Sequence, residues 1–427
     1  MANAFSKEEV VFFEDVLAGF GPNNITAGQV SKFKPPSTAF ERSGLTVHRP
    51  IPNIMLGTEG LVLADAAFAD RTQLTVPSTL NANDSAPSHI RNIPFKMNAI
   101  ELSDPLQRER LKTAAIQQLS ATADSVVATE VAKRGSLFIK NGGAINKYDH
   151  VAQCEEAMSV RDVPIMTARS LIMNPTDYNT VAGDLANRDA PLAGTSLTAY
   201  ERSKIPTIAS FDSFKANFMP TQAVQAGTGW KINGANQDHD PAATDANGNN
   251  VDNRTQTLTI DTGSGTIAEG DAFTIANVYA VSAIHKNVLP DLQTFRVVSR
   301  DSATVITITP AIVAAAGNSG AQANIDYANV GSIPADNAAI TFLNVTAAQP
   351  SNIFFANEAV EIVHGSLATM ELDGSAGVSS MRATTDSGIE ILFAKASEVS
   401  GLSTKYRLTM WMTANVLCPE MCGNLVK

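Results

Sequence analysis

The sequence predicts an α+β protein in which an all-β module interrupts a mixed host. One observation is a helical pattern of about thirty residues, ending at Gly135, that no glycine or further proline breaks. Another is the tract from Ala223 to Val345, where glycine, asparagine, threonine and alternating apolar residues dominate. A mixed helix and strand pattern returns after Ala347, so the β-rich tract is predicted to be an insertion.

A short amphipathic helix is predicted near the N-terminus. Ser6 and Glu9 have the spacing of a capping box, in which each side chain satisfies the exposed amide of the other residue. Apolar residues then recur at helical spacing: Val10, Phe13, Leu17 and Phe20.

The aromatic residues of this helix, Phe12, Phe13 and Phe20, have two interpretations. We favour packing against the host domain, which is the usual role of aromatic side chains at helical spacing. The alternative is a docking helix for a partner, in which Glu14 and Asp15 offer negative charge to a basic surface.

The stretch from Pro35 to Pro94 is predicted to be a loop-and-hairpin excursion. Seven prolines interrupt it, and short β-like pieces such as "LVLAD" and "TQLTV" lie between them. An excursion of this length without a core of its own is usually functional, disordered or docked on another molecule.

The longest predicted element is a helix over "SDPLQRERLKTAAIQQLSATADSVVATEVAKRG". Ser103 and Asp104 are candidate caps, and Pro105 stands in the first turn, where proline is tolerated. Lys133 and Arg134 stand at the end of the helix, where cations are favoured. At about 1.5 Å per residue the rod would measure roughly 45 Å. Its narrow apolar stripe favours a helix that lies along a sheet over one strand of a coiled coil, and consists of Leu111, Ala115, Leu119, Ala123, Val127 and Val131.

Strands are predicted on both sides of the insertion and within it. "GSLFI" is strand-like, and "SLIMNPTDYNTVAGDL" is typical of a buried strand, an Asn-Pro turn and a helix begun by Asp177. Within the insertion, the stretch from Asp252 to Val278 is interpreted as the end of a loop followed by a first hairpin, with Gly263 and Gly265 in its turn.

The composition limits the classes of function. A chain of 427 residues should form two or three domains, and its 31 basic and 42 acidic side chains give a net charge of −11. That charge disfavours a sequence-independent nucleic-acid binder, which needs a basic face. No apolar run reaches the roughly 18 residues of a membrane span. The acidic start lacks a secretion signal, so we expect a soluble cytoplasmic product.

We find no pattern of an enzyme or of a cofactor site. No two histidines stand three or four residues apart, and no phosphate loop, nucleophile elbow or dinucleotide fingerprint is present. The cysteines Cys154, Cys418 and Cys422 have neither disulfide nor zinc spacing, so inert thiols are expected.

The strongest acidic cluster is "NQDHDPAATDANGNNVDNR", which contains Asp238, Asp240, Asp245 and Asp252. A calcium site is one interpretation, but the cluster lacks the flanking helices and terminal glutamate of the usual calcium loop. A solvated loop or a contact loop is favoured.

The order of elements resembles that of the tailed-bacteriophage major capsid proteins, and more closely the P22-like podovirus coat proteins with an inserted β-barrel. The similar stretches are spread over nearly the whole chain: "KFKPPSTAFERSG", "TEGLVLAD", "VAKRGSLFI", "NPTDYNTVAGDLANRD", "NVDNR", "KNVL", "ITPAIV", "YANV", "FFANEAVEIV" and "LSGL". The resemblance implies the Johnson fold of these proteins, with no catalytic site and no cofactor.

The resemblance also implies a division into domains. It assigns residues 1–50 to an N-terminal arm and 51–98 to the extended loop. It assigns 99–139 to a peripheral domain with the spine helix, 140–222 to the first part of an axial domain, 223–346 to the inserted β-barrel, and 347–427 to the axial and peripheral return.

The function implied is that of a shell subunit. Such subunits assemble with a scaffolding protein into an icosahedral procapsid of hexamers and pentamers, with a portal at one vertex. The procapsid matures around double-stranded DNA, which the shell encloses without specific binding. The protein is thus expected in the virion, after assembly in the bacterial cytoplasm, with no membrane partner.

Two features of the sequence narrow this expectation. No lysine occurs between Lys34 and Lys96, so the loop cannot supply the nucleophile for the isopeptide bonds that lock some related shells. The chain begins almost at once with the arm helix, whereas relatives that scaffold themselves carry a long charged segment first. We therefore expect a non-covalent shell and a separate scaffolding protein, with Glu14 and Asp15 as candidate scaffold or arm contacts.

The resemblance makes the acidic loop from Asp238 to Arg254 a contact between capsomers. Its candidate residues are Asp238, Asp240, Asp245, Asp252 and Arg254. Asn247 stands where the family pattern has an acidic residue before the glycine, so the ion pair across capsomers depends on Asp245 and Asp252. An exposed pair contributes only about 0–1 kcal/mol, so its effect would come from repetition around the shell.

Two alternatives stay open at this point. An encapsulin-like compartment shares the shell fold but houses an enzyme cargo. A carbohydrate-binding or adhesion protein would use the β module, and it predicts exposed, stacked aromatic residues there.

Overall fold

The computed structural model describes most of the chain in two units. The described residues are 5–35, 45–51, 61, 68, 71–81, 89–98, 100–101, 104–163, 167–186, 203–205, 207–261, 263–317, 321–345, 347–367, 378–398 and 400–427. The first unit comprises Met1–Val47, Ser78–Val127 and Glu361–Asn415. The second comprises His48–Pro77, Ala128–Val360 and Val416–Lys427.

The described residues form both helices and strands. The α-helices are α1 (Lys7–Asn23), α2 (Thr26–Gln29), α3 (Pro105–Arg134), α4 (Tyr148–Val160), α5 (Pro175–Ala186) and α6 (Gln322–Tyr327). The strands are β1 (Ser31–Phe33), β2 (Thr46–Pro50), β3 (Thr75–Thr79), β4 (Ile90–Asn98), β5 (Leu137–Lys140), β6 (Arg169–Met173), β7 (Thr207–Ile208), β8 (Phe211–Lys215), β9 (Thr221–Gln222), β10 (Lys231–Ile232), β11 (Gln256–Asp261), β12 (Ala272–Val281), β13 (Val288–Arg300), β14 (Val305–Thr309), β15 (Ile340–Phe342), β16 (Gln349–Pro350), β17 (Asn352–Ala356), β18 (Val360–His364), β19 (Val378–Thr384), β20 (Glu390–Glu398), β21 (Ser403–Val416) and β22 (Cys422–Val426). Short 3-10 helices follow β17 and β21, at Asn357–Ala359 and Pro419–Met421.

The predicted long helix is confirmed as α3, whose 30 residues begin at Pro105. The Asp104 carboxylate accepts the Leu106 N–H at 2.9 Å and caps the helix, while the other candidate cap, Ser103, lies outside the described residues. Five positions of the predicted stripe are buried, and the sixth, Leu111, is half-buried. The buried face also contains Ser120 and Asp124, which the apolar pattern did not predict.

The N-terminal helix α1 has the predicted capping box. The Glu9 N–H donates to Ser6 Oγ at 3.3 Å, and the Ser6 N–H donates to Glu9 Oε2 at 2.8 Å. The predicted apolar face is partly wrong, because the buried residues are Phe13, Val16 and Phe20. Val10 is exposed, since it lies one turn before the buried stripe begins.

The first unit contains a sheet with the strand order β1-β18-β21-β20-β19, and β4 also pairs with β21. Strand β1 runs parallel to β18, with Ser31 opposite Glu361. Phe13 stacks on Phe393 of β20 at a centroid distance of 5.6 Å. Phe12, half-buried, lies 5.9 Å from the same ring. Packing, the favoured interpretation of the aromatic residues of α1, is thus confirmed.

The second unit contains a host sheet with the order β5-β22-β17-β6-β8-β7. The strands predicted in "GSLFI" and "SLIM" are confirmed as β5 and β6. Helix α5 begins at Pro175, two residues before the predicted start at Asp177. The reason is that Asn174 Oδ1 accepts the Thr176 N–H at 3.2 Å, while proline suits the first helical position.

The β-rich tract forms a second sheet of the same unit, with the order β10-β11-β14-β13-β12-β15. An isolated bridge joins Lys231 to Ala339, and the Ile340 N–H donates to the Trp230 carbonyl at 3.0 Å. These contacts link the first strand to the last and close the sheet into a barrel. The domain boundaries at residues 223 and 346 stay a prediction.

The predicted first hairpin of this barrel is wrong, because β11 and β12 do not pair. Strand β11 pairs with β10 and β14, whereas β12 pairs with β13 and β15. The turn between β11 and β12 bonds elsewhere: the Ser264 N–H donates to the Thr228 carbonyl at 2.8 Å, and Trp230 Nε1 donates to the Ser264 carbonyl at 2.9 Å.

The barrel core contains the aromatic residues that an adhesion protein would expose. Trp230, Phe273, Phe295 and Phe342 are all buried in it. Tyr279, in contrast, is 38% exposed. In the part of the chain that the structure describes, no helix is long and apolar enough to cross a membrane.

Candidate functional site

The tip of the predicted contact loop is a small hairpin that Asp245 holds together. Thr244 and Asn250 form an antiparallel bridge, and Gly248 takes a φ of 81°, which favours glycine. Asp245 Oδ1 accepts the backbone N–H groups of Asn247 and Asn249, each at 2.8 Å. Hydrogen bonds, first that from the Asn249 backbone, hold the pKa of Asp245 below its usual value.

Asp252 and Arg254 form an ion pair at the C-terminal end of the same loop. Arg254 Nε and Nη2 each donate to the Asp252 carboxylate at 2.9 Å, a bidentate geometry. Arg254 Nη1 also donates to the Val416 carbonyl at 2.6 Å, and Nη2 to the Pro77 carbonyl at 3.2 Å. The structure thus commits these two predicted contact residues to bonds within their own chain.

The other two predicted acidic residues, Asp238 and Asp240, both lie near Asn324. Asp240 is exposed, and its Oδ1 accepts Asn324 Nδ2 at 2.7 Å. Asp238 is half-buried in the same loop. Over the described ranges, no three His, Cys, Asp or Glu side chains gather into a group that could hold a metal ion.

Asn253 is a residue of this loop that the sequence did not single out. Its Oδ1 accepts the Ala242 N–H at 3.0 Å, and its Nδ2 donates to the Ala242 carbonyl at 2.9 Å. His239 Nε2 lies 3.0 Å from the same oxygen. Asn253 therefore holds the two ends of the loop together. The loop contains several asparagines, and nothing in the sequence distinguishes this one from the others.

The two candidate scaffold contacts on α1 are both exposed, but they differ in their partners. Asp15 Oδ2 accepts Lys112 Nζ of α3 at 3.0 Å, a bond that helps to raise the pKa of Lys112 after the larger effect of Glu109. For Glu14, the described residues offer no hydrogen bond or ion pair. Glu14 is thus the more available of the two for a partner.

Glu9, which was predicted only as a cap, forms a polar cluster in the first unit. Its carboxylate accepts Lys395 Nζ at 2.6 Å and the Tyr406 hydroxyl at 3.0 Å. Burial raises the pKa of Glu9, but the hydrogen bonds from Lys395 and from the Ser6 backbone outweigh it, so the pKa is lowered.

The three cysteines are free thiols in the structure. Burial raises the pKa of all three, that of Cys418 to about 11. The thiolate is the reactive form, so at neutral pH these side chains are poor nucleophiles.

A protein-family model described as "P22 coat protein - gene protein 5" matches residues 1–426. Among solved structures, the CUS-3 coat protein I-domain is 42% identical; the match covers 27% of this chain and 95% of that chain, with a TM-score of 0.23. The capsid of the cyanophage P-SCSP1u is 12% identical over 97% of this chain and 88% of that chain, with a TM-score of 0.41. A virus-like particle from Pyrococcus furiosus is 9% identical over 96% of each chain, with a TM-score of 0.39.

Proposed function

Because the chain belongs to the P22 coat protein family, we propose that it is the subunit of an icosahedral phage shell that assembles around a separate scaffolding protein. It is a phage capsid protein with the α+β fold of the tailed-phage major capsid proteins. The proposed product is a procapsid of hexamers and pentamers with a portal at one vertex, which matures to enclose double-stranded DNA.

The family match over residues 1–426 is the observation that carries this proposal. The charge of the chain supports the part that concerns DNA. A net charge of −11 lets a wall lie beside packaged DNA without adhering to it, since nonspecific binding requires cations that displace phosphate counterions. The proposed role is structural, without catalysis or a cofactor, in a virion assembled in the bacterial cytoplasm.

We assign the contact between capsomers to the hairpin tip around Asp245. Asp245 is exposed at the tip and its carboxylate orders the turn, whereas Asp252 is half-buried and paired with Arg254. Many weak contacts of this kind, one per subunit, make a shell strong in total and reversible during assembly.

We assign the scaffold contact to the outer face of α1, with Glu14 as its centre. Its carboxylate is exposed near the N-terminal half of the helix, and a basic segment of the scaffolding protein would complement it. Glu14→Gln should weaken binding to the scaffolding protein. Asp15→Asn should mainly lower the stability of the subunit, because Asp15 loses its ion pair with Lys112. Equal effects on scaffold binding at equal melting temperature would contradict this assignment.

Co-expression with a candidate scaffolding protein tests the proposed function. The expected result is closed, uniform shells by electron microscopy with the scaffold, and few or aberrant particles without it. Uniform shells that form without a scaffolding protein, hold an enzyme cargo and contain no nucleic acid would instead support an encapsulin-like compartment.

A further inference from the structure

Within the predicted extended loop, hydrogen bonds in the second unit join Ile51 to Gln73 and Leu74. The Ile51 N–H donates to the Leu74 carbonyl at 2.9 Å, and Gln73 Nε2 donates to the Ile51 carbonyl at 2.6 Å. We call residues 71–77 the loop root. Leu74, within it, is buried.

An ion pair joins the loop root to the β-rich tract. The Arg71 guanidinium donates to the carboxylate of Asp326 in α6, which also accepts Gln322 Nε2 at 2.9 Å. The Asp326 side chain is only 3% exposed. Burying a carboxylate to this degree destabilises the fold unless a cation pairs with it. The end of α6 that contains Asp326 is therefore stabilised by Arg71 of the loop root.

Two further bonds tie the same segment down. The Tyr327 hydroxyl donates to the Thr72 carbonyl at 3.2 Å. Burial raises the pKa of this phenol, and a hydrogen bond from the Leu74 backbone opposes that effect. Arg254, the cation of the contact loop, donates to the Pro77 carbonyl at 3.2 Å. Side chains of the β-rich tract thus bond to the loop root near both of its ends, at residues 71–72 and at residue 77.

The loop root borders a cavity, although its apolar side chains Leu74 and Val76 are buried. The cavity measures about 170 Å³, and its lining includes Ile51 and Leu74 on the side of the root and Val313 and Tyr327 on the side of the β-rich tract. Side chains that face a void lack dispersion contacts there. The orientation of the root therefore depends on its polar contacts as well as on the burial of Leu74 and Val76.

We propose that Asp326, Tyr327 and Arg254 are positioning residues, which hold the loop root of the predicted extended loop against the β-rich tract, with Arg71 as the main partner. This inference rests on the proposed shell function, in which the loop must meet a neighbouring subunit in a set direction. A released root would leave each subunit folded but would misplace one of its lattice contacts.

The first test measures hydrogen exchange in the unassembled full-length chain. Arg71→Leu should speed exchange of the Ile51 amide by at least about tenfold, because the buried Asp326 carboxylate loses its cation. Tyr327→Phe should speed it less. Exchanging the partners, with Arg71→Asp and Asp326→Arg in one chain, should restore much of the protection.

The second test measures assembly with the scaffolding protein at matched stability. Ile306 is buried in β14, so Ile306→Val or Ile306→Ala lowers the melting temperature without touching the loop root. The control is whichever of these two variants melts closest to Arg71→Leu. Arg71→Leu should give several-fold fewer closed shells than this control.

The outcomes separate the two proposals. Unchanged exchange at Ile51 in Arg71→Leu, or assembly equal to that of the control, would overturn the positioning role. If the unmodified chain forms no shells with any scaffold, the proposed function fails, and the exchange result still decides whether the root is anchored.

Discussion

At the scale of single residues, the carboxylates of this chain differ by what they bind. Asp245 holds together the exposed turn in which it lies, whereas Asp252 is occupied by Arg254 in a bidentate pair. Asp326 is buried and paired with Arg71, which lies 255 positions earlier in the chain. Only the first of these leaves its surroundings exposed for a partner.

Asp245→Ala is expected to reduce the yield of particles several-fold, while the melting temperature of the free subunit falls by less than about 2 °C. The turn loses the acceptor for the amides of Asn247 and Asn249, but no buried contact is lost. Asp336→Ala is the matched control, since Asp336 is also exposed and accepts the Gly234 N–H at 2.8 Å. Proportional losses of melting temperature and particle yield would contradict the contact role.

Glu9→Gln tests the polar cluster through its dependence on pH. The pKa of Glu9 is lower in the folded chain than its ordinary value of 4.5, so its ionised form stabilises the fold above that pH. The contribution is lost as the pH falls through the folded pKa. Urea unfolding should show a loss of about 1 kcal/mol for Glu9→Gln at pH 7, and a shrinking difference from the unmodified chain below about pH 5.

Glu8→Gln is the control for this measurement, because Glu8 is 70% exposed and pairs only at the surface with Arg108. It should cost less than Glu9→Gln at pH 7. A difference between Glu9→Gln and the unmodified chain that stays constant from pH 7 to pH 4 would show that the charge of Glu9 has no part in it.

At the scale of elements, the spine helix α3 combines an apolar stripe with one buried anchor. In the first unit, the Asp124 carboxylate accepts the N–H groups of Ile25 at 2.9 Å and Ala27 at 2.8 Å. Burial raises the pKa of Asp124, and these backbone hydrogen bonds oppose the rise. The N-cap residue of α2, Ile25, provides no side-chain hydrogen bond to the helix. The Asp124 carboxylate accepts the free N–H groups at this helix start instead.

Asp124→Ala is expected to cost about 3 kcal/mol, because the buried N–H of Ala27 and the half-buried N–H of Ile25 lose their acceptor. Hydrogen exchange should show the Ile25 and Ala27 amides exchanging much faster than in the unmodified chain. Thr122→Ala, on the same helix, should have little effect, since the Thr122 hydroxyl bonds only to the Gln118 carbonyl within the helix. Equal exchange in the two variants would contradict the anchoring role.

At the scale of the whole molecule, the patterns that are local in sequence were predicted and the distant pairings were not. Helix α3 follows from its cap, its first-turn proline and its apolar spacing, all within one stretch. The pairing of β11 with β14 does not, because strand propensity gives no register or partner. The bond from Tyr327 to Thr72 is equally invisible, since each residue alone is unremarkable in its own segment.

Mature particles are expected to dissociate into single chains on denaturing electrophoresis. No lysine occurs between Lys34 and Lys96, so the predicted extended loop has no amine to form an isopeptide bond. Particles of a relative that does cross-link would serve as the positive control. A ladder of covalent multimers from this chain would contradict the prediction.

In the first unit, the N-terminal helix α1 contacts strands that are synthesised much later. Glu9 of α1 bonds to Tyr406, which is 397 residues later in the chain. At about 5 to 20 residues per second, that interval lasts roughly 20 to 80 seconds. The barrel strands, in contrast, lie in one continuous stretch from Lys231 to Phe342 and can pair as soon as that stretch has left the ribosome. The apolar face of α1 therefore stays without its partner strands while the barrel, which is made later than α1, is already able to fold. During this period the nascent chain exposes that apolar face, and binding by a chaperone would protect it most.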